Sequence, residues 1–244
     1  MTVAISISRL VLSVVLVTAL VGLVGCTKAP QPVAAEYPLP VPVELALDTT
    51  TAHGLVPAIS KWMIAPSGRV ANWLGQPVDG KEVFEPINVI VLDPIAKTAI
   101  EAHDRLIRAS AAAHFLVRSG HSSGYGGIID DWVYPELPVG LGDAFSDEPF
   151  VLSNNHGRIF GPHQLPEGWL FIGAFSREVV EPTAKVKHAY ESMNRSRDAY
   201  AHGMVTQAGY SIVSFVAMGN EILNQPSRGT GDHDGIAVFL KAER

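Results

Sequence analysis

The only cysteine, Cys26, stands directly behind an apolar run from Leu10 to Val24. With a single thiol, no disulfide can staple this chain and no thiolate set can build a zinc site. The fold must therefore come from burial and hydrogen bonding alone. The chain has the means for it, with 244 residues, 47% of them hydrophobic and 17% charged. That balance excludes a disordered or fibrous chain. A net charge of −6 leaves no basic footprint and argues against nucleic acid as a partner.

The first 26 residues carry one charge, Arg9. The apolar run behind it has the length of a signal-peptide core and is short for a bilayer span of roughly 20 residues. It ends in Leu23-Val24-Gly25-Cys26, which resembles the lipobox of bacterial lipoproteins. The resemblance implies cleavage before Cys26 and acyl chains, palmitate among them, on its sulfur and its new amino end. Two or three such chains anchor a protein stably, whereas one is marginal. The expected partner is then the membrane, through the lipid anchor, and the expected location is the cell envelope. Thr27 follows the cysteine in place of Asp, which in a Gram-negative cell resembles outer-membrane sorting. Loss of Arg9 with residues 1–25 would take the charge from −6 to −7.

Residues 26–42 hold the lipidated cysteine and five prolines, and read as an extended tether. Residues 43–244 read as a single domain. Expected strands are Val43–Leu47, Phe84–Leu92, a hairpin of Phe150–Phe160 with Trp169–Ser176, and Tyr210–Met218 with Ile236–Leu240. One helix is expected from Asp93-Pro94 to about Ala109, and another from a Thr183 cap to Gly209. Residues 114–118 fit either a helix extension or a strand. Residues 119–149, rich in Gly and Pro, read as irregular loops whose Tyr125, Trp132 and Tyr134 suit a contact surface. The expected class is α+β, with a mixed, mainly antiparallel sheet of about six strands packed by two main helices.

One motif suggests chemistry. Gly120-His121-Ser122-Ser123-Gly124 matches G-x-S-x-G, in which glycines let a sharp strand-to-helix turn raise the serine above backbone N–H groups. Ser122 as nucleophile, His233 as base, Asp143 or Asp147 as acid, and His53-Gly54 as oxyanion loop would make a serine esterase. Against this, the residues after Ser122 include three glycines and a proline, each unfavourable to the helix that a nucleophile elbow opens. The nine histidines lack helical metal-ligand spacing, so no metal and no cofactor is expected. A metal hydrolase would need at least three histidines and acids to converge in space. Glu191 and Arg195 are spaced as a helix-stabilising pair.

Several segments resemble the C-terminal domain of LssY-type bacterial envelope proteins over about residues 84–208. They are Pro86-Ile87-Asn88-Val89-Ile90-Val91, Asn155-His156-Gly157-Arg158-Ile159-Phe160, Leu170 through Glu178, His188, and Asn194-Arg195-Ser196-Arg197-Asp198. Phe160 stands where that pattern has tryptophan. The resemblance implies a polar cluster of His156, Arg158, Arg177, His188 and Arg197, with Arg–acid pairs tying helix to sheet. The chain thus reads as a lipid-anchored envelope lipoprotein carrying a binding or structural module, with an envelope protein as a candidate partner. The alternative is the lipid-anchored serine esterase.

Overall fold

The computed structural model describes residues 41–42, 48–50, 54–140, 142–180 and 188–243. Cys26, the tether to residue 40, the strand expected at 43–47, His53 and Thr183 lie outside them. In chain order the elements begin with β1 (Val41–Pro42), β2 (Asn72–Val78), β3 (Lys81–Phe84), β4 (Val89–Asp93) and α1 (Ala99–Ala112). There follow β5 (Leu116–Ser119), β6 (Gly126–Ile129), β7 (Trp132–Leu137), β8 (Asp143–Ser146), β9 (Asn154–Leu165) and β10 (Gly168–Val180). The last are β11 (His188–Ser192), α2 (Met193–Gln207), β12 (Tyr210–Ala217), β13 (Arg228–Gly229) and β14 (Ile236–Ala242).

The strand Val89-Ile90-Val91-Leu92-Asp93 is apolar until its last residue and buried at every position. Such a run suits a strand covered on both faces. β4 accordingly lies inside the large sheet, antiparallel to β10 and parallel to β14. The main order is β1-β7-β9-β10-β4-β14-β12. The long hairpin of β9 and β10 organises it, and the strand pair expected across residues 150–176 is this hairpin.

The two faces of that sheet are covered differently. On one face α1 and α2 bury Leu106, Tyr200 and Met204 against Phe171, Phe175 and Leu240. Ser110 and Tyr200 share a 2.9 Å hydrogen bond inside this layer. On the other face there is no helix among the described residues. Ile59, Met63 and Ala71, from the irregular segment before β2, pack there on Ile90, Phe160 and Ile172.

The α+β expectation of about six strands under two helices is overturned. The described residues are mostly β, with 48% strand against 16% helix. The physical cause lies in residues 116–146, where Gly126 and Gly127 stand inside a strand and not in a loop. Gly127 sits in β6 facing the ring of Phe160, and a Cβ there would come within 2.6 Å of it. Four short strands, β5 to β8, therefore occupy the stretch expected to be irregular.

Both helices start later than the spacing predicts. Asp93 does not cap α1; its Oδ1 accepts from the Ile95 and Ala96 N–H groups and its Oδ2 from Arg105. Thr98 is the cap, its Oγ1 accepting from the N–H of Glu101. In the second case His188 opens a strand, not a helix. β11 pairs with β10, and Ser192 then caps α2 by accepting from the Arg195 N–H. The strand expected over Phe84–Leu92 is likewise divided into β3 and β4. Between them Asn88 makes paired hydrogen bonds to the backbone of Phe175, its Nδ2 donating to O and its Oδ1 accepting from N–H.

Gly127→Ala should destabilise the protein by about 1–3 kcal/mol, the usual cost of overpacking. Equilibrium urea unfolding checks it, and Phe160→Leu should cost less in the Gly127→Ala background than alone.

Candidate functional site

Side chains on a strand alternate between faces, so Asn154, His156 and Arg158 share one side of β9. Across the hairpin His156 pairs in register with Ser176, and Asn154 with Glu178. All five are buried. They continue the face that is apolar at Phe160 and Ile172, turning its far end polar. The loop after β5 brings His121 over them, with its ring 4.7 Å from that of His156. β11 brings His188, stacked on Phe150 at 4.2 Å. Trp73 closes another side, 6.1 Å from the His156 ring. The enclosed cavity measures about 20 Å³, room for one water molecule or one ion.

Hydrogen bonding determines the donors and acceptors. Asn154 Nδ2 donates to Glu178 Oε1 at 2.6 Å and to the Leu152 carbonyl at 2.9 Å. Its Oδ1 is then the atom facing His156 Nδ1 at 3.0 Å. An amide oxygen only accepts, so His156 carries its proton on Nδ1 and its Nε2 lone pair is free. His188 Nδ1 lies 3.1 Å from Glu178 Oε1, out of line for a hydrogen bond. His121 Nε2 is buried without a partner. One donor atom from each of His121, His156 and Glu178 lies within 4.8 Å of the others.

A buried cation holds the roof. Arg158 donates to the Ser122 carbonyl at 2.6 Å and lies 4.5 Å from the centre of the Tyr125 ring. Its Nε is 3.1 Å from Glu136 Oε2, and Glu136 Oε1 accepts from the Gly124 N–H. Removing one partner from such a buried pair typically costs about 3–5 kcal/mol. Burial first, then the positive groups around it, shapes the titration here. His121 is pushed down to about 4, by burial with Arg158 and His188 adding. His156 falls well below its usual range by burial, with His121, Arg158 and His188 reinforcing the effect. Burial raises Glu178, Glu136 and Glu85.

The serine triad is not assembled. The G-x-S-x-G segment joins β5 to β6 and opens no helix, so it is no nucleophile elbow. Ser122 Oγ meets Tyr125 Oη at 2.9 Å and Arg158 Nη2 at 3.2 Å, a hydroxyl and a cation rather than a base. His233 Nε2 is bonded to Asn220 Oδ1 at 2.7 Å. Asp143 pairs in register with Ser119 at the edge formed by β5 and β8. The other expected acid, Asp147, is bonded to Asn155.

The polar cluster expected from the LssY resemblance divides. His156, Arg158 and His188 meet at the site. Arg177 is instead paired with Glu191, which also holds Arg195; that pair forms across the start of α2, with Glu191 in β11, and not within a helix as expected. Arg197 ties α2 to the start of β14 through Asp234 and the Ile236 carbonyl. Of the expected contact aromatics, Trp132 is exposed, Tyr134 is buried against His163 and Tyr125 lies under Arg158. Sequence reasoning missed Glu178, Asn154, Glu136 and the role of His121. A period-two polar series, Asn154-x-His156-x-Arg158 opposite Ser176-x-Glu178, was the available signal. It expected no metal; the structure nonetheless gathers two imidazoles and a carboxylate.

Comparison of the chain with protein-family models, with curated proteins and with solved structures finds no match.

A pH prediction comes from His233. Asn220 Nδ2 donates to two carbonyls, so its Oδ1 accepts the His233 Nε2–H. Nδ1 is buried and unpartnered, and burial pushes the imidazole down from 6.5 to about 4. The unfolded chain thus takes up a proton between these values that the folded chain refuses. Stability is full above pH 6.5 and declines as pH falls toward 4. Thermal unfolding across this range should show the decline, and His233→Gln should reduce its slope by one proton.

Proposed function

We propose that this chain is a lipid-anchored lipoprotein of the bacterial cell envelope whose β-rich domain is a binding module. The anchor reading rests on Cys26 directly after its apolar run and on the Pro-rich tether that follows. Among the described residues no helix is long and apolar enough to cross a membrane. The likeness of several segments to LssY-type C-terminal domains supports an envelope role, and of the five residues it singles out His156 and Arg158 line the buried polar site while His188 adjoins it through Glu178.

One observation carries the binding-module reading. Among the described residues β12 ends the sheet, and it exposes Ile212, Val213 and Phe215 at 44%, 45% and 61%. A bulge between Ile212 and Ser214 breaks its pairing with β14. Beside it lies an open groove of about 660 Å³, bordered by Thr49, Val56, Lys61 and Met218. Phe215 borders that groove, and grouped exposed apolar side chains are the usual mark of a protein contact surface. The esterase alternative has no such support, because the partners of Ser122 Oγ are Tyr125 and Arg158.

Two measurements test this. Cys26→Ala should abolish incorporation of labelled palmitate and release the protein from membranes; unchanged labelling would remove the anchor. A photocrosslinking residue at Val213 should give one discrete adduct in intact cells, and one at the exposed His202 on α2 should give none. Equal patterns at both positions would count against the β12 surface.

A further inference from the structure

We infer that His121, His156 and Glu178 form a binding site for a single divalent transition metal ion, zinc above all. The inference is independent of the lipid anchor and of the β12 surface. Its first ground is convergence. The three donors come from a loop and two strands, yet one atom from each lies within 4.8 Å of the others. Tetrahedral zinc ligands at about 2.0–2.2 Å sit about 3.4 Å from each other, so binding draws them together by roughly 1 Å.

The second ground is an unmet donor. His121 is 8% exposed and its Nε2 has no hydrogen-bond partner. Burying such an atom unsatisfied typically costs free energy, and a bound water or ion is a standard explanation for one. The third ground is preparation of the other ligands. Asn154 holds His156 in the tautomer that leaves the Nε2 lone pair free, and the same amide donates to Glu178. An outer residue that orients both an imidazole and a carboxylate is the arrangement found around metal ligands. His188 contacts the same carboxylate from β11 and would help to hold it.

The donor chemistry selects the ion. Two imidazoles and one carboxylate, with no thiolate, suit zinc with a fourth position open to water. A cavity of about 20 Å³ has room for that ion but none for a substrate. The 120–124 loop carries His121 over the site. That loop runs between Gly120 at φ +108° and Gly124 at φ +92°, conformations open to glycine, and it is held down by Arg158 and Glu136.

The test uses the detergent-solubilised full chain, stripped with chelator and titrated with Zn²⁺ by calorimetry and with Co²⁺ by visible absorption. One equivalent per chain should bind, with the intense visible bands of four-coordinate Co²⁺. His156→Gln and Glu178→Gln should each weaken zinc binding at least 100-fold, and His202→Gln should leave it unchanged. Failure of zinc to bind, or equal affinity in all three variants, would overturn the site and leave a water as the partner of His121. Should a variant fail to fold, the wild-type Co²⁺ spectrum decides. Four-coordinate bands support the site, and a weak six-coordinate spectrum refutes it.

Discussion

The pairing of β9 with β10 governs the rest of the molecule. Its register assigns every second side chain to a face, and a slip of one residue would exchange the two faces entirely. On the helix side it places Phe171 and Phe175 under α1 and α2. On the other it places Phe160 and Ile172 in an apolar layer and, further along the same strands, Asn154, His156, Arg158 and Glu178 in a polar one. One hairpin thus supplies both the core and most of the candidate site. The site inherits the rigidity of strands paired on both edges, since β10 is flanked by β9 on one side and by β4 and β11 on the other.

The polar end is held together by electrostatics that burial makes strict. Arg158 is a nearly enclosed guanidinium, and a buried cation must keep its partners. Those partners are Glu136, the Ser122 carbonyl and the Tyr125 ring. Each one ties the β5–β6 loop to the sheet, and that loop carries His121. The serine motif therefore has a structural task. Its glycines shape the roof, its serine backbone is a ligand for Arg158, and its histidine is delivered to the cavity. Burial first, and then the nearby charge of Arg158, keeps His121 and His156 neutral, the form in which they can donate a lone pair.

Legibility differed from element to element for physical reasons. β4, β12 and β14 were readable because continuous or alternating apolar residues follow directly from burial. The hairpin was readable because Gly161-Pro162 through Gly168 breaks two apolar runs. The strands β5 to β8 were not, since glycine signals a turn and a close approach alike, and only the ring of Phe160 beyond Gly127 tells them apart. The start of α2 was misread because the apolar spacing of Val186 and Tyr190 continues across Ser192, whose role as a cap depends on β11 pairing with β10. At the site, Arg158 and His156 were visible as polar residues in a strand. Glu178 was not singled out, because nothing local shows that it stands across from Asn154.

Local composition alone determined that this chain forms no internal disulfide, has a net negative charge, places its one cysteine behind an apolar run and builds a sheet from its later apolar segments. Those properties depend on residue type and near spacing. The convergence of His121, His156 and Glu178 depends on strand register and on where a glycine-bounded loop is pinned. These are set by contacts between residues 20 to 60 positions apart, such as Ser122 with Arg158 and Asn154 with Glu178. The separation of Ser122 from His233 is of the same kind. Whether a serine finds a base is decided by which side chains fill the space around it, and here a tyrosine and an arginine fill it first.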